Sequence, residues 1–193
     1  MTLARKKSCP QPEPAHSLKE TVIKALAARG VLLGPIAEIV LELQSPYKPD
    51  LTLEECLEAV DRVLDKREVQ HAVLTGLTLD VLAERRELPE PLLSIIREDE
   101  PLFGIDEILA LSIVNVYGSV GLTSFGYLDK TKAGILERIN RPLAGTVNTF
   151  LDDLVAAIAA AAGARIAHQG EERSLNGHNL TVGEDMFRKE KEA

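Results

Sequence analysis

The run Thr149-Phe-Leu-Asp152-Asp153-Leu-Val-Ala-Ala-Ile-Ala-Ala-Ala-Ala-Gly163 constrains this chain more than any other stretch. Ala and Leu are strong helix formers, so the run predicts a helix. A helix that is apolar on every side has no solvent face and belongs in the middle of a protein. Other elements must then wrap around it. At its head stand two adjacent carboxylates, which point about 100° apart on a helix and can hardly both reach water. A buried carboxylate needs a cation, a set of donors or a proton. A second acidic pair, Asp106-Glu107, opens another apolar run, Ile108-Leu-Ala-Leu-Ser-Ile-Val. Two acidic pairs entering one helical core point to a divalent-metal site.

The wrapping elements also read as helices. Aromatic residues make up 4% of the chain and Trp is absent, so the core is built from Leu, Ile, Val and Ala, which suits packed helices better than a sheet. No window alternates with β-branched enrichment. At 193 residues the chain can bury one sizeable core. The expectation is an all-α, single-domain multi-helix bundle over residues 17–168, with a polar disordered leader over 1–16 and a disordered tail over 169–193.

Within the bundle, Ser17 with Glu20 and Thr52 with Glu55 form capping-box patterns, and Pro35 opens a helix. Cys56 falls on the inner face of the Thr52 helix. Gly76 reads as a break between a helix through Leu74 and a short one from Leu79 to Arg86. Pro89 and Pro91 bracket the start of Leu92–Arg97. Tyr117-Gly-Ser-Val-Gly-Leu-Thr-Ser-Phe-Gly126 reads as a glycine- and hydroxyl-rich turn. Asp129-Lys-Thr-Lys132 then reads as a helix start, where lysines are electrostatically out of place and favour an anion contact.

The bulk charge excludes some functions. With a net charge of −8 and a pI near 5.1, nonspecific nucleic-acid binding is disfavoured. Ile108 to Leu128 is uncharged, but its Asn, Ser, Thr and Gly residues argue against a spanning helix. The leader lacks the apolar core of a signal peptide. Cys9 and Cys56 offer neither a disulfide framework nor metal-ligand spacing. His16, His71, His168 and His178 build no catalytic constellation. An oxygen-rich site without His or Cys suits Mg²⁺ rather than zinc. The plain expectation is a cytoplasmic protein.

Three motifs in order, Gly104-Ile-Asp-Glu107, Asp129-Lys-Thr-Lys132-Ala-Gly-Ile135 and Asp152-Asp153-Leu-Val-Ala-Ala-Ile158, give the chain a family likeness. Over roughly residues 69–168 it resembles the phosphatidylglycerophosphatase A family, closest to the soluble helical branch of Gram-positive-type bacteria. Membrane-embedded members read approximately W-D-E, D-x-x-K-P-x-P-I and D-D-I-V-A-G at these places. Here Ile105 replaces the Trp and Ala133 the Pro after the lysine.

The resemblance implies a Mg²⁺-dependent phosphatase that converts phosphatidylglycerophosphate to phosphatidylglycerol. Asp106, Glu107, Asp152 and Asp153 would hold metal or activate water, Asp129 would join or orient them, and Lys132 would meet the phosphate. The partner implied is a phosphate ester, a lipid head group among the candidates, met from the cytoplasm with the protein peripheral to the membrane. Alternatives are a soluble phosphate ester as substrate and a non-catalytic, metal-binding regulatory or scaffolding relative. A homo-oligomer packed through the Ala-rich helix is compatible with any of these.

Overall fold

A computed structural model describes residues 17–141 and 143–169. The expected leader and the tail from residue 170 onward lie outside the described residues. Those that are described form helices and connecting turns, with no strand among them. The order is α1 (Leu18–Ala28), α2 (Leu33–Gln44), α3 (Leu53–Val63), α4 (Arg67–Glu84), α5 (Leu92–Glu98), α6 (Ile105–Val114), a 3-10 turn (Asn115–Tyr117), α7 (Gly118–Thr131) and α8 (Ile135–Ile139). The Ala-rich helix, α9, closes the series at residues 151–169.

The expected all-α domain is the fold observed, and α9 is its centre. Every residue from Leu151 to Ala164 is buried. Its small side chains let the surrounding helices approach closely, while Leu154 and Ile158 fill the space between them. Each fully buried Leu or Ile contributes about 1.5–3 kcal/mol relative to exposure. Phe150 packs edge-on against Phe103, with ring centroids 5.9 Å apart.

Local signals start the outer helices. Thr52 and Glu55 complete a reciprocal capping box on α3, and the Ser17 hydroxyl accepts the Glu20 N–H at the head of α1. The stripe Cys56, Ala59, Val60 and Val63 buries one face of α3, and α2 packs on it. Cys56 is a free, buried thiol whose pKa burial pushes up to about 11.

Three sequence expectations are corrected. First, Gly76 is no break: α4 runs unbroken from Arg67 to Glu84. A Cβ at Gly76 would lie 2.6 Å from Leu154 Cδ1, 3.0 Å from Phe150 Cβ and 3.2 Å from Leu109 Cδ2. The glycine is there for close approach between α4, α6 and α9, not to end a helix. Second, Gly118–Gly126 is not a turn but most of α7. Tertiary burial of Gly121, Phe125 and Leu128 overrides the weak helix propensity of glycine. From Leu122 onward its N–H groups fall within the helix, where they bond to carbonyls one turn back. Third, Asp129 to Lys132 ends α7 instead of opening a helix. At a C-terminus the helix dipole favours the lysines rather than opposing them.

The stretch Ile105–Thr131 is long and apolar enough, by length and composition, to cross a membrane, and a third of its most apolar window is buried. The 3-10 turn at Asn115–Tyr117 interrupts it.

Candidate active site: an acidic pocket at the head of the core helix

The three motifs meet at one place. Asp106 and Glu107 stand in the first turn of α6, Asp129 and Lys132 at the end of α7. Asp152 and Asp153 lie in the first turn of α9, which begins at Leu151. Together they line a pocket of about 240 Å³, shared with Asp99, Glu100, Leu102, Asn140 and Thr149. Every site residue expected from the sequence therefore reaches the same cavity. Glu107 stands exposed at its edge, whereas Asp152 and Asp153 are buried.

Lys132 is the organising cation. Its Nζ lies 2.7 Å from Asp129 Oδ1, 2.8 Å from Asp152 Oδ2 and 3.6 Å from Asp153 Oδ1. It is also the residue after the last turn of α7, held in the left-handed region at φ 47°. Leu102 at φ 69° and Asp99 at φ 49° share that conformation, so three of the four non-glycine residues with positive φ among the described residues line this pocket. For L-residues the left-handed conformation costs about 1–2 kcal/mol, and such strain tends to collect at functional sites.

The electrostatics follow from crowding acids where water is scarce. Burial pushes the Asp153 carboxyl up to about 8, with the Asp152 charge adding to the effect and Lys132 opposing it. Asp152 is raised by burial too, although Lys132 pulls the other way through charge and hydrogen bond. Asp99 is raised by burial, then by Asp152 and Asp106. For Lys132, burial is the largest single influence and works to strip its proton, yet Asp152, Asp129 and Asp153 together outweigh it and raise its pKa. The ammonium stays charged. Oδ1 of Asp106 is buried without a hydrogen-bond partner, and a bare carboxylate oxygen in such a place calls for a donor or a cation.

Residues outside the three motifs hold the head of α9. Asp80 of α4, fully buried, accepts the N–H groups of Phe150 and Leu151, each at 3.1 Å. Burial pushes its carboxyl up to about 8 despite those bonds and the Arg29 charge. Glu84, one turn along α4, accepts the Val147 N–H at 2.9 Å and pairs with Arg29 at 2.6 Å. Arg29 donates to Val147 O and to Asn148 Oδ1. Asn148 thus faces Arg29. Sequence reading passed over Asp80, yet a signal existed. Val69, Val73, Leu77 and Asp80 follow helical spacing, which puts a carboxylate in the middle of an apolar stripe.

A larger groove of about 1380 Å³ lies elsewhere, lined by residues that include Tyr47, Lys48, Glu55, Tyr127 and Arg165. Its Glu55 is committed to Lys48 and to the α3 cap. The motif acids and Lys132 are absent from its lining, so the smaller pocket is the better candidate for chemistry.

Known proteins share much of this sequence and this fold. "Uncharacterized protein YpjQ" of Bacillus subtilis (strain 168) is 60% identical over 143 residues, 74% of this chain and 80% of that protein. "Uncharacterized protein YutG" of the same organism is 57% identical over 141 residues, 73% of this chain and 85% of that protein. Among solved structures, a protein of unknown function from Bacillus stearothermophilus superposes with a TM-score of 0.77 at 60% identity, covering 80% of this chain and 96% of that one. The low temperature requirement C protein from Listeria monocytogenes gives 0.78 at 55% identity, covering 81% and 98%. A family model for phosphatidylglycerophosphatase A matches residues 22–168, so the likeness extends through the N-terminal helices, well beyond the three motifs. The chain belongs to the phosphatidylglycerophosphatase A family.

Proposed function

We propose that the pocket hydrolyses a phosphate monoester with the help of a Mg²⁺-type cation, and that its substrate is phosphatidylglycerophosphate, released as phosphatidylglycerol and phosphate. The observation that carries this reading is Lys132, an ammonium among Asp129, Asp152 and Asp153, beside the unpartnered buried oxygen of Asp106. One cation and several hard oxygen donors are what a phosphate and its counter-ion require.

The residues present fit a magnesium ion. Among the described residues no three acidic, His or Cys groups converge as a finished cage. Magnesium does not ask for one, since it keeps several waters and is usually held through one or two carboxylates and the substrate's phosphate. One or two of Asp106, Asp152 and Asp153 would hold it directly, and the remaining acids, with Glu107 at the rim, would meet its waters. Bound there, the cation would polarise phosphoryl oxygens and lower the pKa of water.

The chain's own groups supply the rest. Lys132 meets the phosphate as a point charge, with Asp129 orienting it. A carboxylate of the Asp152–Asp153 pair accepts the proton of the attacking water. The new P–O bond forms as the ester P–O bond breaks, and the leaving alkoxide takes up a proton. Leu102, Ile105 and Ile108, exposed beside the pocket, offer an apolar lip to an acyl chain. That lip supports a protein peripheral to a membrane surface, and the cytoplasmic side is part of the proposal.

The test is phosphate release by the purified protein with Mg²⁺ and with EDTA. Phosphatidylglycerophosphate in mixed micelles is presented beside soluble phosphate esters. Release from the lipid, dependent on Mg²⁺ and reduced at least about a hundredfold in Asp152→Asn, is the expected result. Release from soluble esters alone would move the substrate class. No release despite stabilisation by Mg²⁺ would favour the non-catalytic reading, in which Lys132 merely neutralises the carboxylates.

A further inference from the structure

Helix α9 begins without a cap of its own. The first N–H groups of a helix have no partner within it, and a Ser, Thr, Asp or Asn just before the helix usually satisfies one of them. Here that position is Phe150. The Thr149 hydroxyl, the nearest alternative, is turned away and donates to Ile96 O at 2.6 Å. The cap comes instead from Asp80, seventy residues earlier, whose two carboxylate oxygens take the Phe150 and Leu151 N–H groups.

That is an expensive way to cap a helix. A Ser or Asn at position 150 would do it locally, without placing a carboxylate in the core, where such a group is costly even when hydrogen-bonded. The arrangement has a geometric consequence that a local cap lacks. It ties the turn bearing Asp152 and Asp153 to the rigid middle of α4, beside the Gly76 contact that brings α4 against Leu154 and Phe150. Glu84 and Arg29 grip Val147 and Asn148 just upstream. Asn148 Nδ2 in turn donates to Ile139 O of α8 at 2.9 Å. The approach to the acidic pair is thus fixed from α1, α4 and α8 before either acid enters the pocket.

We propose that Asp80 is the positioning residue for the Asp152–Asp153 pair, holding the first turn of α9 so that both acids meet Lys132 in the pocket. The inference rests on the reading of that pair as the working acids. Residues that orient a metal's ligands without touching the metal change affinity or activity by about 10–100-fold when replaced. A cap that only stabilised the fold would lower the melting temperature and leave cation affinity alone.

The experiment compares the full chain with Asp80→Asn, which keeps the volume and one acceptor. Three quantities are read on both proteins: the Mg²⁺ concentration for half-maximal phosphate release, KM for the ester against kcat at saturating Mg²⁺, and amide hydrogen exchange at Phe150 and Leu151. In the variant, half-maximal Mg²⁺ is expected to rise by about tenfold or more. KM should stay within about twofold, because Lys132 still meets the phosphate. Exchange at the two amides should quicken by about tenfold or more relative to residues 155–160. Unchanged Mg²⁺ dependence and unchanged exchange, with only a lower melting temperature, would overturn the proposal.

Should Asp80→Asn fail to fold, the wild-type exchange decides. Phe150 and Leu151 must be protected like the interior of α9, and fraying at both would overturn the proposal. A wild-type protein that neither responds to Mg²⁺ nor releases phosphate removes the catalytic reading. The exchange comparison then still shows whether Asp80 sets the turn.

Discussion

Helices α3 and α9 are both started by a carboxylate, and the two carboxylates live in opposite worlds. On α3, Glu55 sits three residues into its own helix and bonds back to the Thr52 N–H at 2.9 Å. Lys48 at 2.7 Å and that N–H hold its carboxyl down to about 2. On α9, Asp80 reaches in from another helix, fully buried, and burial pushes it up to about 8. One cap is local, solvated and comfortable as an anion. The other is distant, dry and strained as one. The difference is what each helix start is for: α3 has only to begin, whereas α9 has to deliver two acids to a pocket.

The comparison breaks most sharply at Asp80. Asp80→Ala removes both acceptors at once and leaves two buried N–H groups unpaired. Each such group costs about 1–3 kcal/mol, so a loss of about 2–6 kcal/mol is expected in a denaturant titration. A loss below about 1 kcal/mol would mean that water or another group caps α9 and that the contrast with α3 is false.

Much of this was legible in the sequence, and the division follows the range of the signal. The all-apolar run fixed the core helix, since burial of a helix without a polar face has one solution. The Thr52 box, Pro35 and the apolar stripe of α3 were readable because each is settled within a few residues. The site residues were readable as acids and a lysine, but their meeting depends on where α6, α7 and α9 end in space. Gly76 and Gly118–Gly126 misled for one reason. Propensity marks glycine as a breaker, while in α4 and α7 the packed neighbours keep the helix going. Asp80 looked like an ordinary helical acid because its partners, Phe150 and Leu151, lie seventy positions away.

Gly76 sharpens the comparison at a second point, since Asp80 reaches α9 only because α4 lies so close. Gly76→Ala places a methyl 2.6 Å from Leu154 Cδ1. The gain in helix propensity, about 1 kcal/mol, is set against overpacking of about 1–3 kcal/mol. A net loss is expected, together with weaker protection of the Phe150 and Leu151 amides as α4 and α9 are pushed apart. An Ala variant as stable as wild type, with the same protection, would show that the interface yields at no cost and that the close approach is incidental.

The smallest effect lies in the pH dependence, where the two carboxylates act with opposite sign. Glu55 is depressed in the folded state, so it binds fewer protons folded than unfolded between about pH 2 and its ordinary value near 4.5. Its contribution is present above about 4.5 and lost as the pH falls towards 2. Asp80 is raised, so the folded protein holds the extra proton between its ordinary value near 3.8 and about 8. Its effect is most favourable below about 4 and fades as the pH rises towards 8. Asp153 is raised to about 8 as well, so melting curves of wild type and Glu55→Gln from pH 2 to 8, in EDTA, separate Glu55 from the buried acids taken together. The Gln variant should lose part of the acid limb of the stability profile and keep the decline on the alkaline side, because only the solvated cap has been touched. An exposed carboxylate is well screened, so the acid-limb change should be modest and shrink further in salt. A change on the alkaline side instead would mean that the α3 cap is coupled to the buried acids around α9. The separation between local and distant capping would then fail.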